Sequence, residues 1–264
     1  MGKISLSESL KVVTVSEDTN IGVFDIEGLY RGYGLTIGNA LRRVLLSSLP
    51  GAAITSVKIS GVGHEFSTIA GVLEDVVEIC LNLKKVRFEF PGETGFTEPE
   101  VLILKSKGEG EVTAEAISDT GRVSVVNKDQ HIATITQKGA EIEMEITVEK
   151  GLGYVPAEGL KTGALPVGII KLDALFSPVS RVNLVTENMR IGDKTDFNRV
   201  RLSIETDGGI KPSVALREAL SILTSHFSKA MEQLGGSLEA EEISPVAEEV
   251  EDKKPKKKAA TKKK

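Results

Sequence analysis

Tryptophan is absent from the 264 residues, and aromatic residues of all kinds make up only 4%. A surface that stacks unpaired nucleic-acid bases needs aromatic faces, so the composition speaks against one. There is one cysteine, Cys80, which excludes an internal disulfide framework and fits a reducing cytoplasm. It stands among Val76, Val77, Ile79, Leu81 and Leu83 and reads as a buried structural thiol. No apolar run approaches the ~20 residues that span a bilayer. The opening MGKISLSESLKVV lacks the apolar centre of a signal peptide. Only three histidines occur. His64-Glu65 invites a metal or acid–base reading, but His131 and His226 fall in separate patterned segments and ligand spacing is missing, which leaves an ordinary loop histidine. Net charge is −5, against nucleic-acid binding by general basicity. Carboxylates clustered to hold a catalytic metal ion are not found outside the wet strand faces and an acidic tail.

What is present suits a globular protein of one or two domains: 40% of residues are hydrophobic and 27% charged. The stretch around which the chain is organised is RGYGLTIGNALRRVLLSSLPG, Arg31 to Gly51. Its spacing predicts a helix from about Thr36 to Leu49, stopped by Pro50-Gly51. Ile37, Ala40, Leu41, Val44 and Leu45 form one apolar stripe. The opposite side carries Asn39, Arg42, Arg43 and a leucine, Leu46. Leu46 reads either as an apolar anchor rimmed by arginine, a common build for an interface hot spot, or as a stray exposed leucine.

Before this helix, KVVTVSE and IGVFDIEGLY read as two strands around a turn at Asp18-Thr19-Asn20. After it, AAITSVKI is another strand. Within His64–Lys85, the residues Val72, Val76, Val77, Ile79, Cys80 and Leu83 make a helical stripe. From Val86 to Val148 short strand patterns recur: VRFEF, VLILK, VTAEAI, VSVVN, HIATI and EIEMEITV. Two more strand regions follow at 166–187 and 199–209, with Lys194-Thr195-Asp196 in the loop between. A second helix is expected over 212–234, with Pro212 at its first position. Leu216, Leu220, Leu223, Phe227, Ala230 and Leu234 are spaced like an a/d seam. That face can pack on the chain's own sheet, meet a second copy, or do both. Residues 236–264 have little apolar content, with seven acids between Glu239 and Asp252 and then eight lysines from Lys253 to Lys264. They read as a disordered tail, either merely solubilising or a weak contact for DNA or RNA.

GYGLTIGNALRRVLLSSLPG closely resembles the N-terminal part of the bacterial RNA polymerase alpha subunit family. The blocks HEFSTIAGVLEDVVEICLNLKK, GLGYVPA and the strands near 166–209 resemble it too, so the likeness runs over residues 1–235. The resemblance implies an α+β fold. A discontinuous dimerisation domain, 1–51 and 174–235, would carry an antiparallel sheet and two helices, with a mostly-β domain, 52–173, inserted. It implies a homodimeric, non-catalytic scaffold that assembles the beta and beta-prime subunits of a DNA-directed RNA polymerase. Beta would meet Asn39, Arg42, Arg43 and Leu46, together with His64, Glu65, Phe66, Ser67 and Thr68. Beta-prime would meet Ser177, Pro178 and Val179 and the Lys194, Thr195, Asp196 stretch. The dimer would use the seam from Leu216 to Leu234. No cofactor is expected on this chain, Mg²⁺ belonging to the catalytic subunit, and the location implied is the cytoplasm.

Three departures stand out. The family usually has arginine where Lys194 stands, and lysine would weaken a bidentate contact there. It more often has an acid just before Pro212, where Lys211 stands, so the helix start is expected to be less well capped. Family members also continue into a small DNA-contacting C-terminal domain that has no counterpart in this sequence, so that role is not expected to carry over. Two readings from other classes remain: a stand-alone DNA-binding regulator using the lysine tail, and a small enzyme built on the β-rich module.

Overall fold

The structure, a computed structural model, describes residues 9–89, 98–159, 168–191 and 194–235; the side chains of Lys194 and Thr195 lie outside that description. So do the acidic and lysine-rich tail, Phe90 of VRFEF, and Pro166 and Val167. The chain divides into one unit ending at Ser225 and a second starting at His226.

In chain order the elements are β1 (Lys11–Glu17), β2 (Ile21–Tyr30), α1 (Tyr33–Ser47), β3 (Pro50–Ile59), α2 (Val76–Leu83), β4 (Phe88–Glu89), β5 (Glu100–Lys107) and β6 (Gly110–Thr113). They continue with β7 (Ser124–Val125), β8 (His131–Ile135), β9 (Glu141–Leu152), β10 (Tyr154–Val155), β11 (Ile169–Lys171), β12 (Ala174–Leu175), β13 (Val179–Ile191), β14 (Lys194–Thr206) and α3 (Pro212–Gln233). Helices and antiparallel sheets are therefore mixed, an α+β fold.

Two large cores account for most of the architecture of the first unit, with a small third cluster of Ala53, Ala174 and Phe176 beside them. One lies under an antiparallel sheet in the order β11-β3-β9-β5 and takes in α2 and the short pairs β4-β7 and β6-β8. Strand β9 shows why it forms: Ile142, Met144, Ile146 and Val148 point into the core while Glu141, Glu143 and Glu145 face water. Those glutamates meet Lys107, Lys105 and Lys58 on the neighbouring strands at 3.3, 2.6 and 3.2 Å. The second core lies between the sheet β1-β2-β14-β13 and the helices α1 and α3. Phe24 and Ile26 of β2 and Val200, Leu202 and Ile204 of β14 fill it. The other face of that sheet carries Asp25, gripped by the Arg201 guanidinium through bonds of 2.8 and 2.7 Å.

Local outcomes differ from expectation in four places. Helix α1 begins at Tyr33, three residues early, and ends at Ser47; Pro50-Gly51 is not its stop but the start of β3. The stripe in 64–85 is helical only from Val76. Asp75 is extended and its carboxylate accepts the Glu78 N–H at 2.7 Å, an N-cap that fixes the start, while Val72 bridges Ile135 instead. VTAEAI is strand only to Thr113, then one 3₁₀ turn, Ala114–Ala116, which drives Ala114 and Ile117 inward. Finally, Lys194-Thr195-Asp196 opens strand β14, with Lys194 paired to Ile191, because the β13–β14 ladder extends further than the polar residues suggest.

Candidate functional site

Helix α1 sits on its sheet by close backbone approach. A Cβ on Gly34 would fall 2.9 Å from both Asn198 Cβ and Thr186 Cγ2, and one on Gly38 would fall 2.6 Å from Leu184 Cδ1. Both glycines are buried beside Leu41 and Leu45, while Ile37, Ala40 and Val44 are half-buried. Gly34, expected with Gly32 to make a tight turn before the helix, lies inside it, and Gly38 went unnoticed although its i, i+4 spacing from Gly34 on the buried side was visible. The sequence reading also missed Asn198, whose Oδ1 accepts the Gly32 N–H at 2.8 Å and whose Nδ2 donates to Asn188 Oδ1 at 3.0 Å. No side chain of the helix's own caps its start, so this asparagine, from the far end of the chain, fixes where the helix begins.

With that side pressed on the sheet, Asn39, Arg42, Arg43 and Leu46 are all exposed, Leu46 at 37%. Two guanidinium groups thus flank an apolar side chain on a rigid element. At the end of this helix Ser177 Oγ donates to the Leu46 carbonyl at 3.1 Å. The first two candidate contact sets therefore adjoin. Within the Ser177–Val179 stretch, Pro178 and Val179 are buried, and Ser177 is the one with a partly open side chain. Asp196 is exposed on β14.

His64–Thr68 belongs to the other core, beside the start of α2. His64, Glu65, Phe66 and Thr68 are exposed, Phe66 at 79%. The Ser67 N–H donates to the His64 carbonyl at 3.3 Å and Ser67 Oγ lies 3.2 Å from His64 Nδ1, so the loop is turned on itself. Phe66 rims a groove of about 220 Å³ floored by Val77, Leu81 and Leu172. Among the described residues no group of three His, Cys, Asp or Glu side chains is arranged to hold a metal ion. Cys80 is buried, and burial pushes its thiol up to about 11.

The seam on α3 divides. Leu216 is buried with Ala215 and Ala219 against the sheet. Leu223 is half-buried and Leu220 exposed in the first unit. In the second unit Phe227 is 64% exposed and Leu234 89%, with Ala230 also open. Among the described residues no helix is long and apolar enough to cross a membrane.

A family model described as the RNA polymerase Rpb3/RpoA insert domain matches residues 57–177. The DNA-directed RNA polymerase subunit alpha of Symbiobacterium thermophilum is 50% identical over 218 residues, covering 83% of this chain and 68% of that relative. The protein of the same name from Alkaliphilus oremlandii is 45% identical over 219 residues, covering 83% and 68%. That from Clostridium botulinum is 44% identical over 247 residues, covering 94% and 76%. With identity sustained across most of its length, and an insert-domain match that overlies the first core, the chain belongs to the DNA-directed RNA polymerase alpha subunit family.

Proposed function

We propose that the chain is the homodimeric scaffold on which the beta and beta-prime subunits of a cytoplasmic RNA polymerase assemble, and that it contributes no catalytic group. Family membership supports its place in the polymerase complex, whose nucleotidyl transfer would proceed with Mg²⁺ on a catalytic subunit. Residues 1–51 and 174–235 would form the dimerisation domain, 52–173 the inserted one. Leu220, Leu223, Phe227, Ala230 and Leu234 would meet their copies, with Leu216 anchoring the seam from below. Beta would dock on Asn39, Arg42, Arg43 and Leu46 and on His64–Thr68, beta-prime on Ser177–Val179 and Lys194–Asp196. DNA would be reached through the complex.

The observation that carries this reading is the outward side of α1. An apolar side chain between two arginines, on a helix whose other side is locked to a sheet, is built to meet a protein. Arg43 offers a planar fork of donors for carboxylates or carbonyls. Changing Arg43 to Ala should leave the fold intact and cost about 2 kcal/mol or more in docking beta. Titration of purified beta against wild-type and variant chains measures it. Capture of beta at wild-type affinity by Arg43→Ala and by Leu46→Asp would remove α1 from the interface.

A further inference from the structure

The two stretches assigned to beta above sit on different cores, α1 on one and the 64–68 loop on the other. A rigid partner engages both at once only if the angle between the cores is held. Among the described residues the backbone crosses between them at Leu49–Gly51 and at Phe176–Val179. These crossings adjoin: a Cβ on Gly51 would fall 1.8 Å from the Phe176 carbonyl oxygen, and Ser177 bonds to Leu46. Two neighbouring crossings, beside the small cluster of Ala53, Ala174 and Phe176, leave a hinge along one side. Beside them a cleft of about 460 Å³ opens between the cores, lined by Lys150, Phe176, Ile210 and Glu218 among others.

A third contact closes the hinge without any chain connection. The turn after β14, Asp207–Gly209, reaches the first core at β4 and β7. Arg87 Nε lies 3.6 Å from Asp207 Oδ2, and both side chains are mostly buried. Each partner is held in place. The Arg87 N–H donates to Asn127 Oδ1 at 2.7 Å and its Nη1 donates to the Lys84 carbonyl at 3.1 Å. Asp207 Oδ1 accepts the Gly209 N–H at 3.0 Å, and the Asp207 N–H donates to the Pro178 carbonyl at 3.0 Å. The fit leaves no room: a Cβ on Gly209 would come 2.7 Å from the Phe88 carbonyl oxygen, and one on Gly208, at φ +94°, 3.1 Å from Val126 Cγ1.

We propose that Asp207–Gly209, pinned by Arg87, is the strut that fixes the angle between the two cores and so aligns both halves of the beta-docking surface. The alignment rests on the docking assignment made above; the strut does not. Asp207 and Arg87 are positioning residues, acting through the frame and not by touching beta.

Spin labels at Asn183→Cys on the second core's sheet and Lys138→Cys on the first core report the angle, both positions being exposed. Cys80 is buried and does not label. The labelled chain is diluted into excess unlabelled chain so that distances within one chain dominate. A narrow distance distribution is expected for the wild-type background, and a broader or shifted one for Asp207→Asn and for Gly209→Ala. The exchange Arg87→Asp with Asp207→Arg should narrow it again, which a merely destabilised fold would not do. Affinity for purified beta should fall about tenfold in the single variants, as one contact loses the benefit of the other. Unchanged distances in both single variants overturn the strut. Broadened distances with wild-type affinity for beta overturn its role in docking. Should the wild-type chain itself fail to bind beta, the docking assignment fails and the distances alone judge the strut.

Discussion

His131 shows what chain order conceals at the scale of single residues. Its Nε2 lies 2.9 Å from Glu74 Oε1 and its Nδ1 2.8 Å from Glu111 Oε1, partners 57 and 20 positions away in the sequence. A neutral imidazole has one N–H and satisfies one carboxylate; the protonated ring donates to both. Burial opposes the charge, but the bonds to Glu74 and Glu111 outweigh it and hold His131 above its ordinary 6.5. Glu74, only 7% exposed, is opposed by burial too, yet the Thr134 N–H and His131 bring it below its ordinary 4.5. A raised histidine stabilises the fold below 6.5 and loses that contribution as pH climbs through its folded value. A lowered glutamate contributes above 4.5 and loses it as pH falls. The bridge is therefore strongest between those two values. Thermal melts of His131→Gln should trail wild type by about 1 kcal/mol near pH 5.5, screening included, with the gap shrinking as pH climbs beyond 6.5 through the raised folded value. A gap that widens with pH would contradict the bridge. Arg43 and Leu46, by contrast, were legible in advance, because helical periodicity alone assigns them to the side away from Leu41 and Leu45. Asn198 was not, since its partner at Gly32 lies in a distant part of the chain.

Among elements, the two long helices were readable and their ends were not. Ends are set by what the first N–H groups and last carbonyls find, and those partners come from elsewhere in the fold. Lys211 before α3 pointed to a poorly capped start. The structure supplies the cap from β1: Glu17 Oε1 accepts the Ser213 N–H at 2.9 Å, and bonding to Ser213 lowers the Glu17 pKa. Glu17→Ala should destabilise the fold by about 0.5 kcal/mol, the low end for an N-cap because the carboxylate is exposed. Adding an acid locally, Lys211→Asp, should recover that loss; chemical denaturation of the single and double variants tests both steps. Helix α1 gives a sharper contrast. Leu41 is fully buried and Leu46 is on the outside, so Leu41→Asp should unfold the domain while Leu46→Asp leaves the circular dichroism and melting curve unchanged. The shortening of α2 has the same origin as the caps: periodicity continues through Val72, but Asp75 takes the Glu78 N–H and starts the helix there.

At the scale of the molecule, alternation along β9 and periodicity in α1 foretold a mixture of helices and antiparallel strands, and two large cores with a small cluster at Ala53, Ala174 and Phe176 are found. Which strands pair was not foretold. The order β1-β2-β14-β13 joins strands from opposite ends of the chain, and no local pattern encodes that neighbourhood. The same separation sharpens the test of self-association. Leu216 is in the core, so a charge there would break the fold and say nothing about a dimer. Phe227, on the same seam, is 64% exposed in the single chain, so glutamate there costs the monomer almost nothing. Against a second copy it would be buried without a partner, which typically costs about 3 kcal/mol or more. Sedimentation at micromolar concentration should find wild type a dimer and Phe227→Glu largely monomeric, with the melting of the two cores preserved when both are compared as monomers at high dilution. A wild-type chain that sediments as a monomer would leave the open side of α3 without its second copy. Loss of folding in Phe227→Glu would place that side chain in the chain's own core, contrary to its exposure here.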